Sequence, residues 1–150
     1  MLLKKELIKV GLEPADTEEA LKAVAQGFVD YGYAKPSFPQ AVVDREIVFA
    51  TGLPGANMDI ALPHSDSIHV NETSIAIATL KTPVKFKMMG SQEIALYPKI
   101  LFMLAIHETH AQLSMLQQLM DILQEGDLLQ ACYACTTPDA VFDLMADKIG

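Results

Sequence analysis

The sequence is poor in the residue types that mark several classes of protein. It has no tryptophan, two cysteines and 11 basic residues against 19 acidic ones, and its longest uncharged apolar run is the seven residues 100–106. A membrane-spanning helix needs about twenty apolar residues in a row. The formal net charge of −8 repels phosphate backbones and anionic lipids. We therefore expect neither membrane insertion nor a nucleic-acid partner.

The overall composition is that of an ordinary globular protein. Of the 150 residues, 51% are apolar and 20% are charged, and a chain of that length buries enough surface to fold without a disulfide or metal. Because no internal repeat or Gly/Ser-rich linker divides the chain, we predict a single domain over residues 1–150. Charged residues stand where a secretory signal would carry its apolar core, so the predicted location is the cytoplasm.

Hydrophobic spacing predicts helices that alternate with buried strands. Four amphipathic helices are expected, starting at Asp16 or Thr17, near Pro39, at Thr109 and at Thr137. Buried strands are expected over residues 60–62, 74–80 and 100–106, and a strand with one solvent-exposed face is expected over residues 84–88. This alternation predicts an α/β fold: a single-domain mixed, largely parallel β-sheet with helices on both faces.

The two cysteines, Cys132 and Cys135, have the C-x-x-C spacing of a redox pair or of half a zinc site. A redox pair of the thioredoxin kind lies at a helix N-terminus after a strand, early in a βαβ unit. This pair lies near the C-terminus instead, so we expect two small, half-buried thiols with no chemical task.

His64 is the leading candidate for chemistry. It follows Pro63, and because proline cannot donate to a sheet ladder, the strand over residues 60–62 should end there and leave His64 in a loop. In α/β sheets, ligands and chemistry gather outside strand ends. A neutral imidazole has a lone pair and can act as a nucleophile without a neighbouring base.

A metal site is the alternative use of the histidines. The available donors are His64, His69, His107, His110, Asp66 and Glu108. Their number is enough for zinc, but their spacing matches no zinc signature, so we expect no metal and no cofactor. The sequence also has no G-x-S-x-G, Walker or G-x-G-x-x-G motif. Residues 52–55, although they contain two glycines, are predicted to form a plain connecting loop.

Arg45, on the second predicted helix, has two interpretations. It could pair with Asp44 or Glu46, or lie solvated, as most surface arginines do. If the loop after the helix folds back toward His64, its guanidinium would instead hold the oxygens of a phosphoryl group. The residue pattern leaves both interpretations open.

Beyond these patterns, several segments share the sequence of a known family. They are residues 51–54, 60–64, 74–80, 83–86 and 112–119. The most specific is Ile60-Ala61-Leu62-Pro63-His64. Together they resemble the enzyme IIA domain of the phosphoenolpyruvate-dependent sugar phosphotransferase system (PTS), of the fructose/mannitol type. Within that family, the chain is most similar to the galactitol branch.

The resemblance implies a phosphotransferase component that carries a phosphoryl group on a histidine. In the family, the histidine after the proline accepts the group from phospho-HPr and passes it to a cysteine of the cognate IIB component during sugar uptake. The matching residue here is His64. The family's arginine before the glycine loop, which steadies the phosphoryl oxygens, matches Arg45. A second histidine of the mannitol and fructose branch is replaced here by Gln112. The implied cargo is a hexitol such as galactitol.

The resemblance also leaves a regulatory role open. In the nitrogen-related branch, a IIA-like protein binds other proteins according to its phosphorylation state, and this role needs His64 as well. In either role the encounter with a partner is brief. We expect Met58 and Ile60 to form the small apolar patch beside His64 that such a transient interface requires.

Overall fold

The computed structural model describes residues 2–149, and for residues 109–113 it describes the backbone only. The helices are α1 (Thr17–Asp30), α2 (Phe38–Val48), α3 (Thr109–Leu123), α4 (Gly126–Ala134) and α5 (Pro138–Met145). The strands are β1 (Lys9–Leu12), β2 (Gly52–Pro54), β3 (Asp59–Ala61), β4 (Ser74–Leu80), β5 (Phe86–Lys87), β6 (Ala95–Leu96) and β7 (Ile100–Ala105). Within the described residues, no helix is both long and apolar enough to cross a membrane.

The main sheet has five strands in the order β1-β4-β7-β3-β2. The pairs β1–β4 and β3–β7 are parallel, whereas β4–β7 and β2–β3 are antiparallel. Strands β5 and β6 form a separate two-stranded ribbon. The expected α/β fold with a mixed sheet is confirmed. The strand predicted over residues 84–88 is shorter than expected, with Phe86 buried and Lys87 exposed.

Helices cover both faces of the sheet, and the side chains of the two central strands divide between those faces. Strands β4 and β7 are buried along their whole length. One set of alternate residues, such as Ile77 and Phe102, packs with α3, α4 and α5. The other set, such as Ala78 and Met103, packs with α1 and α2. Because successive strand residues point to opposite faces, these two strands contribute to the core on both sides of the sheet.

Two of the predicted helix starts are capped as expected. Asp16 accepts a hydrogen bond from the Glu19 N–H at 2.8 Å, and Thr137 accepts one from the Ala140 N–H at 3.1 Å. At α3 the prediction was wrong by one residue. The residue with extended backbone before that helix is Glu108, so Thr109 is its first helical residue rather than its cap.

The interpretation of residues 52–55 as a plain loop was wrong. Strand β2 pairs antiparallel with β3 along its three residues and forms the edge of the sheet. Pro54 is tolerated there because an edge strand has one side on which no ladder hydrogen bond is needed. Helix α4 and strand β1 had not been predicted either.

Candidate functional site

The chain around His64 continues the line of β3 beside the central strand β7. Strand β3 ends at Ala61, and after it the Pro63 carbonyl accepts a hydrogen bond from the Leu104 N–H at 2.9 Å. His64 itself forms an isolated parallel bridge with Leu104. The half-buried His64 therefore follows a strand end, as the sequence predicted.

One hydrogen bond sets the tautomer of the His64 ring. Its Nδ1 lies 2.8 Å from the Leu62 carbonyl oxygen. Because a carbonyl can only accept, Nδ1 carries the proton and the neutral ring has its lone pair on Nε2. Burial has the largest effect and lowers the pKa of His64; the Leu62 hydrogen bond raises it in part, and the smaller effects of Arg45 and Asp66 lower and raise it, respectively. The ring is therefore neutral near pH 7 and nucleophilic at Nε2.

Arg45 and His64 line the same pocket, which has a volume of about 430 Å³. Ser65, Asp66 and Ser67 also line it, so hydroxyl groups and a guanidinium surround the imidazole. Donors of this kind suit an anion with several oxygens. The loop after α2 thus folds back toward His64, which is the condition for the second interpretation of Arg45.

Arg45 pairs with neither Asp44 nor Glu46, the two neighbours that the first interpretation offered. Its Nη1 donates to Oδ1 of Asp66 at 3.1 Å, and its guanidinium carbon lies 5.0 Å from the centre of the Phe49 ring. The buried Nε has no hydrogen-bond partner among the described residues. Asp44 accepts from Gln40 instead.

Glu46 fixes the loop that leads to the site. Its two carboxylate oxygens accept from the Thr51 N–H and from the Thr51 hydroxyl, each at 2.7 Å. The Thr51 carbonyl accepts from the Leu62 N–H at 3.2 Å, and the Leu62 carbonyl accepts from His64. Burial raises the pKa of Glu46, while its bonds to Thr51 act in the opposite direction. This chain of hydrogen bonds connects α2 to the imidazole.

His69 and His107 do not line the pocket of His64, although His69 lies close to Arg45 and Asp66 in an adjoining pocket. His69 shares a 2.7 Å hydrogen bond with the Ser37 hydroxyl, and the exposed His107 bonds to Thr73 through its backbone N–H. The side chains of His110 and Gln112 lie outside the described residues. Across the part of the chain that is described, no group of three or more His, Cys, Asp or Glu side chains is placed to hold a metal ion.

The two cysteines are unpaired thiols. Cys132 is fully buried, and burial raises its pKa to about 12. Cys135 is partly exposed, its pKa is also raised by burial, and its thiol donates to the Ala131 carbonyl at 3.2 Å. The expectation of a half-buried thiol holds for Cys135 and was wrong for Cys132. Neither group forms a thiolate readily near neutral pH.

The apolar patch expected at Met58 and Ile60 is not there. Ile60 is fully buried, and Met58 packs against the same core cluster. Exposed apolar side chains instead come from the end of α2 and from the turn after His64. They are Val48, Phe49 and Ile68, with 60%, 59% and 69% of their surface exposed. Two of these residues are at the pocket. Phe49 stacks on Arg45, which lines the pocket, and Ile68 lines the pocket itself.

Comparisons with known proteins cover almost the whole chain. The family model described as "Phosphoenolpyruvate-dependent sugar phosphotransferase system, EIIA 2" matches residues 1–148. The galactitol-specific EIIA component of Escherichia coli K12 is 25% identical over 124 residues, which is 82% of this chain and 81% of that protein.

Two solved structures show the same fold. The IIA component of a mannitol IIA complex with phosphorylated IIB from Escherichia coli superposes with a TM-score of 0.78 at 24% identity, over 97% of this chain and 99% of its own. The nitrogen regulatory protein IIA-Ntr from Neisseria meningitidis superposes with a TM-score of 0.71 at 14% identity, over 96% of both chains.

Proposed function

The chain belongs to the EIIA 2 family of the phosphoenolpyruvate-dependent sugar phosphotransferase system, and on that premise we propose that it carries a phosphoryl group on His64. The group comes from phospho-HPr and passes to a cysteine of a cognate IIB component in the cytoplasm. The sugar served is a hexitol. This last choice is supported by the similarity to a galactitol-specific component over most of both chains.

The observation that carries this proposal is the hydrogen bond between Nδ1 of His64 and the Leu62 carbonyl. This bond keeps the proton on Nδ1 and leaves the lone pair on Nε2. His64 lines a pocket that also contains a guanidinium and hydroxyl groups. Phosphoryl transfer proceeds through a loose transition state in which positioning and charge stabilisation do most of the work. This arrangement supplies both.

In the accepting step, the Nε2 lone pair forms a bond to phosphorus as the nitrogen–phosphorus bond of the donor breaks. The electron pair of that bond returns to the donor's ring nitrogen. The Nδ1 proton stays in its hydrogen bond to Leu62. In the donating step, a cysteine thiolate of the acceptor forms the new sulfur–phosphorus bond, and the electron pair of the broken bond returns to Nε2. Arg45 is the residue best placed to stabilise the charge on the moving phosphoryl oxygens.

The exposed apolar residues Val48, Phe49 and Ile68 support a brief protein contact around the pocket. Aromatic residues and arginine are enriched in protein interfaces, and Phe49 stacks on Arg45 at this surface. The net charge of −8 favours a partner with a basic face, since opposite charges speed the encounter.

The test is phosphorylation by phosphoenolpyruvate, enzyme I and HPr. One acid-labile, base-stable phosphate is expected on the wild-type chain and none on His64→Ala. His69→Ala is the matched control, because His69 is a nearby histidine with a separate hydrogen bond to Ser37, and it should keep the label. Arg45→Ala should accept the group more slowly.

Label that persists in His64→Ala contradicts the assignment of the acceptor. The second half of the test presents the phosphorylated chain to IIB components of hexitol permeases. Loss of label from His64 together with gain of label on a IIB cysteine supports the transport role. If no IIB accepts the group, a regulatory role replaces it.

A further inference from the structure

Asp66 occupies a position in the phosphoryl pocket that the transfer step does not require. Its Oδ1 accepts from Nη1 of Arg45 at 3.1 Å, and its side chain is 73% exposed. It lines the pocket together with His64. A carboxylate is therefore bound to the guanidinium that we assign to the phosphoryl oxygens.

The backbone holds Asp66 in this place. Its carbonyl accepts from the Ser65 hydroxyl at 3.1 Å and from the His69 N–H at 3.3 Å. Asp66 is also the residue before the short 3₁₀ helix Ser67–His69, and its own backbone is extended. These bonds hold the backbone from which the carboxylate reaches Arg45.

A phosphoryl group on Nε2 of His64 would bring several negative oxygens into a pocket that already contains the Asp66 carboxylate. Like charges within one pocket repel, and both anions compete for one guanidinium. Before phosphorylation, by contrast, the carboxylate and Arg45 neutralise each other. Asp66 therefore favours the unmodified state of His64 over the phosphorylated one.

Resting on the proposed function, we propose that Asp66 is a competitor for Arg45 that raises the transfer potential of the phosphohistidine. Its carboxylate holds the guanidinium while His64 is unmodified and opposes the phosphoryl group once His64 carries it. The nitrogen–phosphorus bond then breaks more readily in favour of the next acceptor. Asp66 acts here through Arg45 and is a positioning residue, with no bond of its own to phosphorus.

The experiment uses phosphoramidate, a small phosphoryl donor, so that no partner protein is needed. The occupancy of His64 at a fixed donor concentration and the half-life of the phosphohistidine are measured for the wild type and for Asp66→Asn. The variant is expected to raise both by about three- to fivefold, the upper part of the range for one solvent-exposed charge interaction. Because the effect is electrostatic, the difference should shrink as ionic strength rises.

Two further variants separate the ion pair from general effects of charge. Asp44→Asn removes a carboxylate that precedes Arg45 on α2 and is bound to Gln40 rather than to Arg45. This variant should stay within about twofold of the wild type. Asp66→Glu keeps the charge and should stay close to the wild-type values.

The proposal is overturned if the occupancy of His64 in Asp66→Asn is equal to or below that of the wild type. It is also overturned if Asp44→Asn or Asp66→Glu raises the occupancy as much as Asp66→Asn does.

The proposed phosphocarrier function is tested separately, with phospho-HPr as the donor. If phospho-HPr leaves His64 unlabelled while phosphoramidate labels it with the expected difference, the competition between Asp66 and the phosphoryl group stands and the role in the relay does not.

Discussion

At the scale of single residues, His64 and Glu46 are half-buried titratable groups whose protonation follows from their surroundings. Burial lowers the pKa of His64, so the folded state favours the neutral ring. The lowered pKa contributes to the free energy of unfolding. This contribution is fully present above the unfolded-state pKa of about 6.5 and is lost as the pH falls through the folded-state pKa. The neutral, nucleophilic form therefore persists to lower pH than in a free histidine.

Glu46 lies at the start of the hydrogen-bond chain that ends on His64. We expect Glu46→Ala to lower the free energy of unfolding by about 1–3 kcal/mol, because the two donors of the buried Thr51 lose their acceptors. The same variant should slow phosphorylation, since Thr51 bonds to Leu62, the hydrogen-bond acceptor of His64. Urea unfolding and the rate of labelling are the two measurements.

The pH dependence of stability gives this prediction a second readout. Burial raises the pKa of Glu46, so the stability linked to its protonation is complete below the unfolded-state pKa of about 4.3 and is lost as the pH rises through the folded-state pKa. Glu46→Gln cannot ionise and should not show that decline. Glu18→Ala is the control: Glu18 forms only an exposed i,i+4 pair with Lys22, worth about 0.5 kcal/mol at most. An equal loss in both alanine variants contradicts the role of Glu46.

At the scale of elements, the sequence patterns predicted those parts of the fold that depend on local signals. Helices α1 and α5 carry side-chain caps, and α2 has a proline in its first turn. Strand β7 is a continuous apolar run, and β4 is apolar and β-branched apart from its small polar residues Ser74 and Thr79. Each of these features acts within its own segment, so it is visible without knowledge of the neighbours.

The elements that were missed depend on contacts with other segments. Strand β2 contains glycine and proline, which are poor strand formers, and it exists as a strand because β3 pairs with it. In the site, His64 and Arg45 were predicted from the strand end, the helix and the family pattern. The pairing of Arg45 with Asp66 was not, since it spans 21 positions and depends on how the loop folds back.

Gly52, at the start of β2, tests the packing of this edge. A Cβ atom there would lie 2.6 Å from the Lys87 carbonyl oxygen, which is backbone and cannot move away cheaply. We expect Gly52→Ala to lower the free energy of unfolding by about 1–3 kcal/mol through overpacking. Because Gly52 follows Thr51, labelling of His64 should slow as well.

Gly27→Ala is the matched control with the opposite sign. Gly27 lies inside α1, and a Cβ atom there would make an ordinary contact of 3.5 Å with Leu7. The variant should raise the free energy of unfolding by about 0.5–1 kcal/mol, because alanine has the higher helix propensity. Thermal or urea unfolding of the two variants is the measurement. A stability change of the same sign in both would refute the close approach at Gly52.

At the scale of the whole molecule, the reactive pocket and the exposed apolar residues lie at the same end of β3. Val48, Phe49 and Ile68 are at least 59% exposed, and two of them neighbour pocket residues. Asp59, at the opposite end of β3, accepts from the N–H of Tyr97, whose ring is also exposed. Phe49 is thus an exposed aromatic residue beside the site, and Tyr97 is one that lies away from it.

This layout predicts that Phe49→Ala lowers kcat/KM for phosphoryl transfer from HPr by about thirtyfold, which corresponds to the loss of one interface hot spot of about 2 kcal/mol. Labelling of His64 by phosphoramidate should change by less than about twofold, since no protein docking is needed. Tyr97→Ala is the control of similar exposure and should leave both rates unchanged. Equal losses with the protein donor and the small donor would contradict a docking role for Phe49.

The central claim is that Nε2 of His64 forms the bond to phosphorus, and nitrogen-detected NMR of the phosphorylated, ¹⁵N-labelled protein tests it most directly. Phosphorus coupling should appear on Nε2 of His64, with Nδ1 still protonated in its bond to Leu62. Coupling on Nδ1 of that ring, or on a different histidine, would contradict the account.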